Sequence, residues 1–350
     1  MPNVALSPIG LLMAATMSIT NVLTDVARKR ALEGRDLVTA TFWIRTAVTS
    51  VFGLVLLYRI AGGAQVVIRD GGPLFGVASW QLAPIPTFLI YLTLNVLLIT
   101  AVMWLYFRAL QISPMSMCIP FLSFTPVFLI PTGFLILGEV PSPLKALGVA
   151  LIVVGSLVMH RRLFAEGLLA PVKAVLREKG SRYMLLVSLI FAITNPLDKK
   201  LVTMSDVFFE AFAYGIGLSV SFWLMGWREK GDFTAASRGN WTWISLAGLL
   251  DAVSLLFQLA SYTYIAVVIT VSIKRAGILL AVFSGWLFFH ERGITDKVIA
   301  ASVMFCGVLI LYLPVSASQA VGITALTLAS MAVALFLTRE PALVDAKSSD

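Results

Sequence analysis

The apolar stretch VITVSIKRAGILL, residues 268–280, contains two adjacent cations, Lys274 and Arg275. Such side chains bind carboxylates and phosphates, or they pair with buried acids. A cation at the centre of a membrane helix costs about 2.5–3.5 kcal/mol on insertion scales, so each needs an acidic partner or a water-filled cavity. Because neighbours on a helix point about 100° apart, we expect one cation to face a cavity. Thr270 and Gly277 share the helix face of Lys274, so we assign the cavity to Lys274 and a structural place to Arg275.

Acids and amides recur at helical spacing in other apolar stretches, and they are the candidate partners of these cations. Asp251 begins a polar stripe that includes Gln258, and Glu210 begins one that includes Tyr214. Both acids fall near predicted helix ends, where hydration alone would explain them; inside the membrane they would instead bind a proton. Arg45 either snorkels, pairs or faces the cavity. The remaining candidates close two similar stretches: Asn21 and Asp25 in the first, Asn195 and Asp198 in the second.

Composition excludes a soluble protein. Of the 350 residues 59% are hydrophobic and 13% charged, and the mean hydropathy is +0.93; soluble domains carry about 25% charged residues. The net charge is +8, and the basic residues lie mostly at the ends of apolar runs. This placement is typical of membrane topology signals and unlike that in a nucleic-acid groove. Two histidines, no HExxH and no GxSxG argue against a membrane-embedded enzyme. We expect no metal and no cofactor.

Apolar runs of about 20 residues predict membrane-spanning helices. Ten such spans are predicted near 9–27, 37–59, 85–107, 115–137, 143–160, 183–200, 206–227, 241–263, 265–289 and 295–314, with an eleventh candidate at 319–338. Four prolines in and just before the fourth span, Pro114, Pro120, Pro126 and Pro131, predict kinks or freed carbonyl groups at a cavity. We divide the chain into a first five-helix repeat (1–160), a basic linker (161–182), a second repeat (183–314), and an extra helix with a polar tail (315–350).

The two halves repeat each other. A shift of 152 residues pairs Glu139 with Glu291, and a shift of 170 pairs Lys29 with Lys199. An odd number of spans per half makes the second copy enter the membrane from the opposite side, as in the inverted repeats of secondary transporters. Both glutamates follow repeat-related helices, so we expect them at gates or interfaces. Their expected partners are Lys145, Lys297 and Arg292.

Each half resembles an EamA-type domain of the drug/metabolite transporter superfamily. The resemblance rests on YFRALQISPMSMCIPFLSFTPVFLIPTGFLILGE and on YTYIAVVITVSIKRAGILLAVFSGWLFFHE, each followed by a helix with spaced glycines. It covers about residues 9–160 and 183–314, although the second copy reads FHE where the first reads LGE. The resemblance implies an all-α integral membrane fold of ten helices around a central cavity, working by alternating access.

We therefore expect a multi-pass transporter of the cell membrane, acting as a monomer or homodimer and exporting a small polar metabolite. The candidate substrate contacts are Lys274, Arg275, Gln258, Tyr214, Asn21 and Asn195. Asp251 and Glu210 would carry a coupled proton, with Asp198 and Asp25 as further charge partners. A flippase for a lipid-linked substrate is the alternative, because it would use the same helices and cations. The distribution of basic residues favours an external N-terminus, whereas the resemblance implies an internal one.

Overall fold

The computed structural model describes residues 7–32, 36–72, 82–112, 119–158, 179–234, 241–277, 303–304 and 306–311, with scattered residues between 318 and 329. All regular secondary structure in these ranges is helical. We label the α-helices in chain order: α1 Pro8–Leu32, α2 Leu37–Ala61, α3 Pro84–Ile112, α4 Thr125–Leu137, α5 Pro143–Val158, α6 Lys179–Met204, α7 Val207–Arg228, α8 Trp241–Tyr262 and α9 Val267–Ala276.

Helices α1, α2, α3, α7 and α8 each contain a stretch long and apolar enough to cross a membrane, and α4 and α5 are shorter apolar helices. Helix α6 is 26 residues long but carries several charges. These helices match the first eight predicted spans, although α6 extends the predicted 183–200 by four residues at each end. Parts of the last three predicted spans, 265–289, 295–314 and 319–338, lie outside the described residues. The described part of the chain is thus all-helical, and five of its helices are long and apolar enough to cross a membrane.

The fourth span changes its helix type at its prolines. A 3₁₀ helix, Ile119–Phe124, leads directly into α4, where Pro126 occupies the first turn and Pro131 the interior. A proline in the first turn removes no helical hydrogen bond, since that N–H group has no partner in the helix. Pro131 does remove one, and the neighbouring Thr132 hydroxyl donates to the carbonyl of Ala192 on α6 at 2.6 Å. The proline helix is therefore joined to the other half of the chain.

Repeat-related residues perform the same task at the start of α2 and α7. Asp36 caps α2 by accepting from Thr39 N at 2.9 Å, and Asp206 caps α7 by accepting from Phe208 N at 2.9 Å. The two acids are 170 residues apart, which is the repeat shift of this part of the chain. An aspartate at this position satisfies backbone N–H groups that the first helical turn leaves open.

The two halves pack reciprocally. Helix α1 packs against α8 and α9 of the second half, while its repeat partner α6 packs against α3 and α4 of the first. Helices α2 and α7 pack against each other, and Thr49 and Ser219 hydroxyls meet there at 3.2 Å, again 170 residues apart. Contact between equivalent residues is what a two-fold relation between the halves would produce. Helices α2 and α7 are therefore the place where equivalent residues of the two halves meet.

The last helix of the first half meets residues 306–311 at two glycines. A Cβ atom on Gly307 would lie 2.7 Å from the carbonyl oxygen of Gly148, which is backbone and cannot swing aside. Lys145 reinforces this contact by donating from Nζ to the carbonyl oxygens of Ile310 at 2.8 Å and Leu311 at 3.0 Å. Lys145 is therefore committed to this helix contact, and it is not the partner of Glu139 that we expected.

Gly307→Ala is expected to lower the free energy of unfolding in detergent by about 1–3 kcal/mol, because the added methyl group meets backbone. Gly133→Ala is the matched control, since a Cβ atom there meets nothing within 4 Å. That control gains helix propensity and should be neutral or stabilising by about 0.5–1 kcal/mol. Thermal melting of both variants checks the prediction, and an unchanged Gly307→Ala protein would contradict this packing.

Candidate functional site

Lys274 begins a chain of hydrogen bonds that crosses three helices. Its Nζ donates to Oε1 of Gln258 at 2.8 Å, and Nε2 of Gln258 donates to the Tyr262 hydroxyl at 3.0 Å. That hydroxyl donates to Oδ1 of Asn195 on α6 at 2.8 Å, and Nδ2 of Asn195 donates to the Phe191 carbonyl. Each polar group in this buried row supports the next, which fixes the position of the Lys274 ammonium group.

Lys274 is the eighth residue of α9, about 12 Å from the start of the helix at 1.5 Å per residue. Its side chain is partly exposed, whereas Gln258 and Asn195 are buried. The ammonium group is close enough to Asp198 and to Asp251 for the charges to interact. The structure therefore brings together Lys274, Gln258 and Asn195, three of the candidate substrate contacts, and it adds Tyr262 as the link between them.

Asp251 is held by two arginines in the middle of α8. Its Oδ1 lies 3.1 Å from Nη2 of Arg28 on α1, and its Oδ2 lies 3.0 Å from Nη1 of Arg45 on α2. Asp251 is the eleventh of 22 residues in α8, so our placement of this acid near a helix end was wrong. Its carboxylate is buried between two cations, and it joins α1, α2 and α8. Arg45 therefore takes the pairing role among the three that we considered.

Two further acids lie deep in the bundle without a comparable cation pair in the described part of the chain. Asp198 accepts a hydrogen bond from Nδ2 of Asn95 on α3 through its Oδ1. Glu210 is 0% exposed, and neither of its carboxylate oxygens has a hydrogen-bond partner among the described residues. The two acids are close enough for their charges to interact. Glu210 lies near the start of α7, as predicted, but it is buried rather than hydrated.

Arg275 points to a different neighbour from Lys274. Its Nη2 donates to the Thr125 hydroxyl at 3.2 Å, and that hydroxyl meets Ser188 on α6 at 3.0 Å. The guanidinium group also lies 6.0 Å from the centre of the Phe191 ring. Thr125 and Ser188 belong to different halves, so Arg275 contributes to an interface between them. This geometry fits the structural place that we expected for it.

Glu139 forms an ion pair that links the two halves beside the start of α9. Its Oε1 lies 2.5 Å from Nζ of Lys199 on α6, and its Oε2 accepts from the backbone N–H of Val267 at 3.1 Å. Lys199 also donates to the Ile265 carbonyl at 2.9 Å. Ala266 caps α9 with no side-chain hydrogen bond, so Glu139 supplies an acceptor that the helix start needs. The structure thus pairs Glu139 with Lys199, whereas we expected Lys145 as a partner.

The other predicted residues are distributed around this centre. Tyr214 is buried on α7 and close enough to Asp198 and Glu210 for an electrostatic interaction. Asn21 is partly buried on α1. Glu291 and the side chain of Asp25 lie outside the described residues. Thr270 bonds the Ser261 hydroxyl at 3.1 Å and a Cβ atom on Gly277 would meet Ser18, so this face of α9 packs against α8 and α1 near those residues and does not line a cavity there.

Sequence reasoning missed Asn95, Arg28 and Tyr262. Asn95 lies alone among apolar residues of α3, and that isolation inside a spanning helix was the available signal. In the described part of the chain, no three His, Cys, Asp or Glu side chains are placed to hold a metal ion. The centre of the site thus contains three acids, Asp198, Glu210 and Asp251, and three basic residues, Arg28, Arg45 and Lys274. The amides of Asn95, Gln258 and Asn195 and the phenol of Tyr262 bridge its helices.

Comparison with known proteins identifies the family of this chain. The sequence model of the EamA-like transporter family matches residues 8–161 and 178–313, which are the two halves that pack reciprocally. The chain belongs to the EamA-like transporter family. The resemblance seen in the sequence is thereby confirmed, and the protein is a multi-pass integral membrane transporter.

The fold also matches solved structures. One crystal structure of a protein aligns with 86% of this EamA-like chain and with 96% of its own chain, at 13% identity and a TM-score of 0.65. At this identity the match concerns the fold alone. No curated protein sequence matches the chain.

Proposed function

We propose that this transporter moves a small polar metabolite carrying a carboxylate or a phosphate across the cell membrane, in the export direction and by alternating access. The position of Lys274 carries the proposal. Its ammonium group donates to the neutral oxygen of Gln258, an amide that orients the cation without being a counter-ion. A partly exposed cation oriented in this way deep in a helix bundle suits an anionic oxygen of a substrate.

The experiment is substrate exchange in proteoliposomes that contain the purified protein. Vesicles are loaded in separate batches with carboxylates, phosphate esters, neutral sugars or organic cations, and each batch is tested for uptake of its labelled external counterpart. We expect exchange with a carboxylate or a phosphate ester. Exchange confined to neutral compounds or organic cations would overturn the proposal, and movement of a lipid-linked phosphate alone would favour the flippase alternative.

We further propose that the two halves are inverted and that ten helices cross the membrane. Reciprocal packing of the halves and the contact between Thr49 and Ser219 support a two-fold relation, and five spans per half would place its axis in the membrane plane. We expect residues 9–160 and 183–314 to superpose after that rotation. Repeat-related loops would then lie on opposite sides of the membrane.

Gln65→Cys and Thr234→Cys test this inversion, because the two exposed residues follow the repeat-related helices α2 and α7. In a protein with Cys118 and Cys306 replaced by serine, a membrane-impermeant thiol reagent should label one cysteine from outside and the other only after permeabilisation. Labelling of both from the same side would mean that the halves are related by an axis along the membrane normal.

We propose that Glu139 and Lys199 form a gate at the end of the bundle where α9 begins. Their ion pair joins α4 of one half to α6 of the other, and the backbone of residues 265–267 is bonded to both side chains. Movement of one half against the other would have to break these bonds. Formation of the pair would therefore close the route that leads from this face toward Lys274.

Glu139→Gln is expected to open this gate. A hydrogen bond to a charged group contributes about 1.5–3 kcal/mol, so its loss should raise labelling of a Lys274→Cys reporter from that face by about tenfold or more. The charge swap Glu139→Lys with Lys199→Glu restores the ion pair but not the bonds to the backbone of Ile265 and Val267, so it should restore slow labelling in part. Arg59→Gln is the matched control, because it breaks the more exposed pair with Asp206 at 2.8 Å. Equal labelling rates in all four proteins would contradict the gate.

A further inference from the structure

We infer that Glu210 and Asp198 form the proton-binding site of this transporter and that Asp251 does not take part in it. The inference rests on the proposed function and adds a coupled proton to it. It corrects our expectation that Asp251 would share this role with Glu210. Three observations carry it: the burial of Glu210, its lack of partners, and the contrast with the ion pairs of Asp251.

Glu210 is fully buried, and both of its carboxylate oxygens lack a hydrogen-bond partner in the described residues. An ionised carboxylate in such a place has lost its hydration without gaining a compensating contact, whereas a protonated carboxyl is neutral and avoids most of that cost. The position near the start of α7 offers little help to the ionised form. Asp206 already accepts from the N–H groups of Phe208 and Phe209 in that turn.

Among the described residues, Asp198 is an acid whose charge interacts with that of Glu210. Two carboxylates that interact inside a protein oppose each other's ionisation and tend to hold one proton between them. Asn95 donates to Asp198 through Nδ2, while its own buried Oδ1 has no donor in the described part of the chain. A protonated carboxyl beside it would supply an O–H donor for that oxygen. The surroundings therefore contain a place for one proton.

The groups around this site differ in charge from one helix to the next. Helix α8 presents Tyr262 and Asp251, α2 presents Arg45, α3 presents the amide of Asn95, α9 presents Lys274, and α7 itself presents Tyr214. Asp251 lies between Arg28 and Arg45, and two adjacent cations favour its ionised form. Asp198 interacts with Lys274, the substrate contact that we propose.

This juxtaposition gives coupling a physical basis. When the acid pair is deprotonated, its charge competes with an anionic substrate for Lys274. When the pair holds its proton, that competition is reduced, and Lys274 is more available to the substrate's carboxylate or phosphate. Binding of a proton and binding of an anionic substrate would then favour each other by linkage. No covalent step is involved, since the proton only moves between water and a carboxylate oxygen.

Infrared titration of the purified protein without substrate tests the inference. We expect a protonated-carboxyl C=O band that disappears as the pH rises, and we expect this band to shift when glutamate is labelled with ¹³C in the otherwise unchanged protein. We expect Glu210→Gln to remove the band and Asp198→Asn to alter it. The band should persist in Asp251→Asn. The isotope arm needs no variant and shows whether a glutamate carries the band, and Glu210→Gln then assigns the band to Glu210.

Absence of the band at every pH, or a band that ignores both the ¹³C-glutamate label and Asp198→Asn, would overturn the inference. So would loss of the band in Asp251→Asn alone. In proteoliposomes, any exchange that Glu210→Gln retains should no longer respond to a pH gradient. Because the titration uses no substrate, its failure leaves the proposed function standing. Failure of exchange in the unchanged protein would instead overturn the proposed function and leave the titration interpretable.

Discussion

Lys274→Ala is expected to lower transport by about 10- to 100-fold while leaving the melting temperature in detergent nearly unchanged. The reason is that a charged hydrogen bond to substrate contributes about 1.5–3 kcal/mol, and each 1.4 kcal/mol corresponds to a factor of about ten. The helices lose little, because Gln258 keeps its bond to Tyr262 and the chain to Asn195 remains. Transport rate and melting temperature should be measured on the same preparation.

Arg275→Ala is the matched control for this prediction. It removes the bond to Thr125 and the contact with Phe191, and these link the two halves of the chain. We therefore expect a lower melting temperature, with a loss of about 1–3 kcal/mol of stability. If Lys274 instead served a buried ion pair, its truncation would cost about 3–5 kcal/mol and neutralising Asp198 or Asp251 would rescue it. Normal transport in both variants would contradict the substrate role.

Asp251→Asn is expected to have the largest effect on stability. The substitution keeps the shape of the side chain but removes the charge that faces Arg28 and Arg45. Breaking a buried pair by removing one partner costs about 3–5 kcal/mol, because the remaining charges stay in a poorly hydrated place. Thermal or denaturant unfolding in detergent measures the loss, and a change below about 1 kcal/mol would contradict a structural role for this acid.

Glu210→Gln provides the comparison for Asp251→Asn. Both acids are buried, since Glu210 is 0% exposed and Asp251 is 9% exposed. No described cation or hydrogen bond holds the Glu210 carboxylate, so its substitution removes no such contact. We expect Glu210→Gln to be close to neutral for stability. The double variant Asp251→Asn with Arg45→Gln should recover part of the loss, since it removes one of the two stranded cations. Equal destabilisation by the two single variants would mean that pairing does not distinguish these acids.

The fold was predictable because its signals are local. The span predicted at 37–59 is α2, Leu37–Ala61, since an apolar run and the Asp36 cap mark its start without reference to any other helix. The repeat shift of 170 residues was likewise visible in the sequence, and it reappears in the caps and in the contact of Thr49 with Ser219. Apolar length and repetition are properties of the chain itself.

The partners within the site were not predictable in the same way. Asp251 looked like a residue near a helix end, and Arg28 looked like a basic residue at the end of a span. The structure extends α1 to Leu32 and joins this arginine to an acid 223 positions further along the chain. Glu139 and Lys199 were each noticed, but as members of separate repeat pairs. Which side chains meet depends on how eight or more helices rotate about their axes, and a single sequence does not encode that rotation locally.

Access to position 274 tests the central claim most directly, since alternating access requires that the substrate contact be reached in turn from both faces of the membrane. A Lys274→Cys protein, with Cys118 and Cys306 replaced by serine, should be treated with a small charged thiol reagent from either side of sealed vesicles. We expect labelling from both sides, because alternating access opens the cavity to each face in turn. A folded protein that is labelled from neither side, or from one side only, would contradict the account.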